Sequence, residues 1–293
     1  MIVVTGPTGN TGRMVIEGLR ARAIPFRAML RDEGRRRALD AQGFPTVHGD
    51  FSDRASLVRA LDGADTAYLV CTPDERLVPC ETAFIAAARE AGVQRIVKCS
   101  AHSAAHDAGS PNLRAHARIE DDLKASGLRW TIVRPHGFMQ TFFWMSAPMV
   151  MEHGVLSYPA GDGPLPLIDL RDVGEAMLTV LTRDGFDGRA FDLTGPEALR
   201  PTQMADALSV AFGRTITYVD GPLEALDGLM RQMGVPDAPR EHVLWCFREQ
   251  RAGRFDYTSD GHRALGLRLH SYAEFAADVA AGRTGVATSE FSR

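Results

Sequence analysis

The feature that most restricts how this chain can fold lies in its first twenty residues. An apolar run, Ile2–Thr5, is followed at once by Gly6, Gly9 and Gly12, spaced G-x-x-G-x-x-G, and then by a helical pattern carrying Met14, Val15 and Leu19. Each glycine meets a separate need: a tight turn at Gly6, close approach of a pyrophosphate to the backbone at Gly9, and close contact of helix and strand at Gly12. A glycine triplet alone is a weak signal, but one that ends a strand and opens a helix points to a dinucleotide-binding turn. The helix N-terminus presents unpaired N–H groups and the positive end of its dipole to phosphate, and Thr8, Asn10 and Thr11 add hydroxyl and amide donors.

The first half of the chain continues in the same alternation. Short β-branched runs at 2–5, 26–30, 45–48, 66–71, 95–100 and 130–134 are separated by helical patterns near 10–22, 33–42, 54–61, 76–91 and 112–126. Right-handed βαβ units follow, so the expected fold is α/β: a doubly wound parallel Rossmann sheet with ligands beyond the carboxyl ends of its strands. After Pro135 the character changes. An aromatic and methionine stretch, PHGFMQTFFWMSAPMVM, precedes a Gly/Pro segment and a helix starting near Arg171, and AFDLTG reads as a strand returning to the sheet. The expected organisation is a dinucleotide-binding domain over 1–150 that regains 165–195, with a smaller, mostly helical substrate region over 151–164 and 196–293. That region has one strand at 215–219 and a polar, frayed end from 282.

With 33 Lys and Arg against 37 Asp and Glu, the net charge is -4. A chain so balanced has no general attraction for phosphate backbones, and nucleic acid is not expected as a direct partner. No apolar run reaches the roughly 18 residues of a membrane span, and the N-terminus enters a strand with no basic leader. A cytoplasmic protein acting on a small molecule is expected, with helices on the sheet faces that can support a homodimer. The cysteines at 71, 80, 99 and 246 lack zinc-type spacing, and His102 and His106 read as polar loop, so no metal is expected.

The end of the second strand, MLRDEGRRR, bears on which dinucleotide is bound. Asp32 stands where an acid would take a ribose 2′-hydroxyl, but Arg31 precedes it and Arg35, Arg36 and Arg37 follow, a guanidinium cluster suited to a 2′-phosphate. NADP(H) is expected ahead of NAD(H); the other reading makes the arginines a solvated helix face and Asp32 its cap. Asp50 and Phe51, after the third strand, suit an adenine, Asp53 an N-cap, and Thr72 and Pro73 the path from pyrophosphate to nicotinamide. Cys71 reads as a core thiol, with catalysis as the alternative.

The segments TGPTGNTGR, LRD, GDFSD, HARIEDDLKASGLRWTIVRPHGFMQ and LIDLRDVGEAM together resemble the NmrA-like, atypical branch of the short-chain dehydrogenase/reductase superfamily, over most of the chain. Ordinary members carry a Tyr-x-x-x-Lys pair on the helix after the fifth strand. Aligned on Glu120, this chain has Asn112 in place of the tyrosine and His116 in place of the lysine, so the usual acid is missing. The resemblance implies that Ser100 orients substrate, that His116 reaches the ribose, and that Pro135, His136 and Phe138 lie near the nicotinamide. If a proton is needed, His116, His136 or His102 can give it. Met139, Phe142, Phe143 and Trp144 read either as an apolar wall for a flat substrate or as core. The function implied is an NADPH-dependent oxidoreductase passing a hydride to an apolar, aromatic or conjugated acceptor, such as a quinone or dye, which needs proximity more than a dedicated acid. The alternatives are an NADP(H)-binding redox sensor, and an isomerase or lyase that uses the nicotinamide.

Overall fold

The computed structural model describes residues 1–283. Strands and helices alternate from the start: β1 (Ile2–Val4), α1 (Asn10–Ala21), β2 (Phe26–Leu30), α2 (Glu33–Ala41), β3 (Thr46–His48), α3 (Arg54–Leu61), β4 (Thr66–Leu69), α4 (Leu77–Glu90), β5 (Arg95–Cys99), α5 (Pro111–Ala125) and β6 (Arg129–Pro135). Local chemistry explains the boundaries. Helix α1 buries Val15, Ile16 and Leu19 and leaves an Arg13–Glu17 pair on its outer face. Asp32 and Asp53 close the N-termini of α2 and α3 by accepting from the backbone N–H groups of Arg35 and Ser56. Pro111 opens α5, where a missing N–H costs nothing.

The chain continues through α6 (Met139–His153), β7 (Val155–Ser157), α7 (Leu170–Thr182), β8 (Arg189–Leu193), α8 (Pro201–Phe212), β9 (Thr217–Val219), α9 (Leu223–Gln232), α10 (Asp237–Arg251), α11 (Gly261–Ala264) and α12 (Tyr272–Ala280). Among the described residues, seven strands form one sheet in the order β3-β2-β1-β4-β5-β6-β8, with β1 to β6 paired in parallel. The order reverses between β1 and β4, where Ile2 aligns with Thr66 and Val4 with Tyr68. At such a reversal the loops leaving neighbouring strands run to opposite faces and open a crevice beyond their carboxyl ends. The doubly wound sheet expected from the alternation is therefore present, and it places the glycine-rich turn at the switch point.

Two compact units make up the chain. The first comprises Met1–Pro135 and Val173–Asp192. Its core joins Val3, Leu57, Leu61, Leu69, Phe84, Ile96, Ile119, Leu123 and Ile132. The returning helix α7 meets α1 closely: a Cβ at Gly18 would lie 2.2 Å from Leu178 Cδ1, and one at Gly174 would lie 2.7 Å from Met14 Cβ. Strand β5 is buried along its whole length although it contains Arg95 and Lys98. Arg95 pairs with Asp187 at 2.9 Å, and Lys98 with Glu81, both members of the latter pair being fully buried.

The second unit comprises His136–Asp172 and the chain from Leu193 onward. The aromatic and methionine stretch, to which the sequence reading assigned no element, forms α6. Met139, Gln140, Phe143, Ser146, Ala147 and Val150 recur at helical spacing and are buried, and Pro148 is accommodated within the helix. Strand β7 is three residues long and pairs in parallel with β9. No signal of its own marks it as a strand; pairing supplies one. The unit's core includes Phe143, Leu156, Tyr158, Leu208, Phe247 and Phe275. Among the described residues no helix is long and apolar enough to cross a membrane. Of the polar end from 282, read as frayed, Gly282 and Arg283 are described, with Arg283 paired to Asp278 at 2.9 Å, and the rest lies outside the described residues.

The buried Lys98–Glu81 pair gives a stability test. Lys98→Met strands a carboxylate in the core and is expected to cost about 3–5 kcal/mol, whereas Lys98→Met with Glu81→Leu is expected to return stability to the starting value or above. Urea unfolding of the two variants measures both.

Candidate functional site

The turn between β1 and α1 is held by its own backbone. Gly6 has φ +56°, and a Cβ there would lie 2.8 Å from Val70 Cγ1. At Gly12 a Cβ would lie 2.0 Å from the Gly6 carbonyl oxygen. The chain itself therefore demands glycine at both places. Gly9 differs: it is exposed, has φ −82° and ψ 170°, and a Cβ there would meet nothing nearer than the Gly6 oxygen at 3.5 Å. Nothing within the chain requires glycine at position 9, which fits a group from outside lying against the backbone. Gly9 is the N-cap of α1, and no side chain caps it. The first-turn N–H groups of α1 are thus left to an anion, unlike those of α2 and α3.

The side chains around the turn divide. Thr5 Oγ1 accepts from Val70 N–H at 2.8 Å and lies 2.8 Å from Val70 O, tying the end of β1 to β4. Thr11 is buried, and its hydroxyl accepts from Tyr68 at 2.8 Å, so it faces inward and keeps only its backbone N–H for a ligand. Thr8 and Asn10 are half-buried beside the exposed Gly9.

At the end of β2 the arginines separate into two groups. Arg36 and Arg37 both bind Glu33, and Asp32 accepts the Arg35 N–H at 2.7 Å. Asp32 is therefore occupied as a helix cap. Arg31 stays 67% exposed at its side chain, in a loose 4.0 Å pair with Asp50. Hydrogen bonds from the Ser52 backbone and hydroxyl, with Arg31 and His48 nearby, hold the Asp50 carboxyl below its ordinary value against partial burial. Phe51 is half-buried, its ring centroid 5.8 Å from that of Phe84. Thr72 and Pro73 are exposed on the loop after β4. Burial pushes the neighbouring Cys71 thiol up to about 12, so it is no nucleophile near neutrality.

At the ends of β5 and β6 a buried carboxylate organises the site. Ser100 donates to Glu120 Oε1 at 2.7 Å, Arg134 grips both Glu120 oxygens, and Lys124 stands 3.4 Å away. Burial pushes Glu120 up, but the hydrogen bonds from Arg134 and Ser100 prevail and hold it below the ordinary carboxylate range. The Ser100 hydroxyl hydrogen is thus committed, and its lone pairs are what it can offer a ligand. His116 is buried one helical turn before Glu120, and Asn112 is half-buried one turn earlier still. His102 donates its backbone N–H to Pro135 O at 3.0 Å; burial lowers its ring pKa, with Arg134 adding to the effect and Asp192 opposing it.

In the second unit, His136 Nδ1 accepts the Gly137 N–H at 2.7 Å, so the neutral ring carries its proton on Nε2. Phe138 is the N-cap of α6 and bridges Ile168. Met139 and Phe143 are each 1% exposed and belong to the core, whereas Phe142 and Trp144 are half-buried and keep surface to offer. The Phe142 ring lies over Gly137, where a Cβ would approach it to 3.0 Å. Two features escaped the sequence reading: the Arg134 grip on Glu120, which left no local signal, and Tyr68 behind the turn, whose only signal is a polar aromatic inside an apolar strand.

Two of these glycines should separate on mutation. Gly12→Ala is expected to destabilise by more than about 1 kcal/mol through steric strain, whereas Gly9→Ala is expected to change stability by less than about 1 kcal/mol, because φ there suits alanine while the N-cap position prefers glycine. Thermal unfolding without ligand distinguishes them.

Comparison with known proteins places this architecture. The NmrA-like family model matches residues 1–256. The NAD(P)H azoreductase of Xenophilus azovorans is 34% identical over 282 residues, 94% of this chain and 96% of that protein. The (4-alkanoyl-5-oxo-2,5-dihydrofuran-3-yl)methyl phosphate reductase of Streptomyces griseus subsp. griseus is 37% identical over 257 residues, 86% of this chain and 88% of that one. Among solved structures, the NADPH-dependent quinone oxidoreductase of Escherichia coli complexed with NADPH superposes with a TM-score of 0.83 at 27% identity, covering 95% of this chain and 99% of its own. A match over most of the chain, with the glycine-rich turn at its start, means that the chain belongs to the NmrA-like family.

Proposed function

We propose that this chain is an NADPH-dependent oxidoreductase that delivers a hydride to an apolar, conjugated acceptor of the quinone, azo or dye type. The observation that carries the reading is the open turn at Gly9, an uncapped helix N-terminus at the switch point where packing alone gives no reason for glycine. Three relatives matched along most of their length support it by name: an NAD(P)H azoreductase, an oxo-dihydrofuran phosphate reductase and an NADPH-dependent quinone oxidoreductase.

In this reading Gly6–Gly12, with Thr8 and Asn10, receives the pyrophosphate, and Arg31 the 2′-phosphate. Asp50 orients the Arg31 guanidinium and, with Phe51, takes the adenine. Asp32 already spends one carboxylate oxygen on the Arg35 N–H, which makes it a less committed partner for an unphosphorylated ribose than a free acid would be. Thr72, Pro73, Ser100, His116, Pro135 and Phe138 are assigned to the remainder of the cofactor, and Phe142 and Trp144 to the substrate. When bound, the nicotinamide supplies the hydride. Asn112 has no proton to give in acid catalysis, which suits acceptors electrophilic enough to need mainly proximity and exclusion of water. Where a proton is required, His116 is the first donor in this reading, ahead of His136 and His102, each acting in its protonated form.

Purified protein is expected to oxidise NADPH when a quinone or an azo dye is added, followed by absorbance. Arg31→Ala is expected to raise the KM for NADPH roughly tenfold or more, through loss of about 1.5–3 kcal/mol of charged hydrogen bonding, and to move that for NADH less than about twofold. Equal losses for the two nucleotides would remove Arg31 from the 2′-phosphate, and tight NADPH binding without turnover on any acceptor would favour a redox sensor.

A further inference from the structure

Strand β4 lies between β1 and β5, with Tyr68 aligned to Val4 on one side and Val97 on the other. Parallel strands covered on both faces take aliphatic residues, because any polar group there must find a partner inside the protein. Tyr68 is nonetheless fully buried, and its hydroxyl donates to Thr11 Oγ1 at 2.8 Å, with the Cys99 thiol in contact with the same pair. Thr11 is the second residue of α1, in the turn whose N–H groups no side chain caps. A threonine in a first helical turn ordinarily has a choice: its hydroxyl can turn to the backbone, to solvent or to a ligand. Here that choice is removed. The glycine-rich turn is thereby stitched to β4 at both ends, by Thr5 to Val70 before it and by Thr11 to Tyr68 after it. Burial pushes the Tyr68 phenol well above its ordinary value, so it stays a donor across the working pH range.

We infer that Tyr68 is a positioning residue for the dinucleotide, which, by holding Thr11 inward, sets the first turn of α1 where its backbone N–H groups meet the pyrophosphate. The inference rests on the oxidoreductase reading and adds to it a residue that touches no ligand. It also separates two contributions to affinity. Arg31 acts on the 2′-phosphate and discriminates between nucleotides, whereas Tyr68 acts on the pyrophosphate that both share.

The test is calorimetric titration of wild type and Tyr68→Phe with NADPH and with NADH, together with steady-state kinetics on a quinone. Tyr68→Phe is expected to raise the Kd of both nucleotides by the same factor, roughly three- to tenfold, and the KM for NADPH with it, while kcat at saturation stays within about twofold. Thr11→Val removes the same bond from the other side and is expected to match it, with the double variant no weaker than Thr11→Val alone; this arm decides the matter should Tyr68→Phe fold poorly. Tyr272→Phe, the same deletion at a buried tyrosine of the second unit, is expected to leave both Kd values unchanged. Tyr68→Phe with a lower Tm but unaltered Kd values would show a packing role only and overturn the inference, as would a loss confined to NADPH. A wild-type chain that takes up neither nucleotide overturns the oxidoreductase reading itself, and does so before any variant is made.

Discussion

The approach of α1 to the end of β1 is the contact on which the site depends. With 2.0 Å between a notional Gly12 Cβ and the Gly6 oxygen, the helix can start where it does only if no side chain intervenes. That closeness points the first-turn N–H groups at the crevice between β1 and β4, and it leaves Gly9 exposed at the edge. The second close approach, of α7 to α1 at Gly18 and Gly174, fixes the other side of the same helix. Helix α1 is thus clamped by backbone proximity, with little reliance on its own propensity.

Around the carboxyl ends of β4, β5 and β6 the first unit places polar and charged groups where an apolar core would be simpler. Lys98–Glu81, Arg134–Glu120 with Ser100, and Tyr68–Thr11 are each buried or nearly so. Buried pairs seldom add stability over apolar packing, because the desolvation cost cancels most of the attraction. What they do supply is direction. A carboxylate held by two guanidinium hydrogen bonds cannot rotate, and a serine bonded to it cannot either. Position 112 on α5 is Asn, and a hydrogen-bonded polar frame stands at the neighbouring strand ends.

Much of this was legible in the sequence because it is local. The β-branched runs, the intervening helices, the cap Asp53 and the roles of Gly6 and Gly12 each follow from residues within a few positions of one another, whereas Asp32 as a cap came only with the second of two readings. Segments that rely on distant partners were not legible. Helix α6 contains a proline and a crowd of aromatics, and only the core around Phe247 and Phe275 explains which face turns inward. The same core decides that Met139 and Phe143 are buried while Phe142 and Trp144 keep surface.

The sequence by itself therefore determined the doubly wound sheet, the order of its elements and the glycine-rich turn, since periodicity and turn chemistry are properties of neighbours along the chain. The tertiary structure alone decided which side chains at that turn are engaged by the chain itself. Thr11 turns inward because of a residue 57 positions away, and Glu120 is gripped by an arginine 14 positions away across a strand. Asp32 and Arg31, adjacent in sequence, part company because a helix N-terminus takes one carboxylate and leaves the guanidinium exposed. Hydrogen-bond partners are chosen by proximity in space, and a single sequence records that only where proximity in space and along the chain coincide.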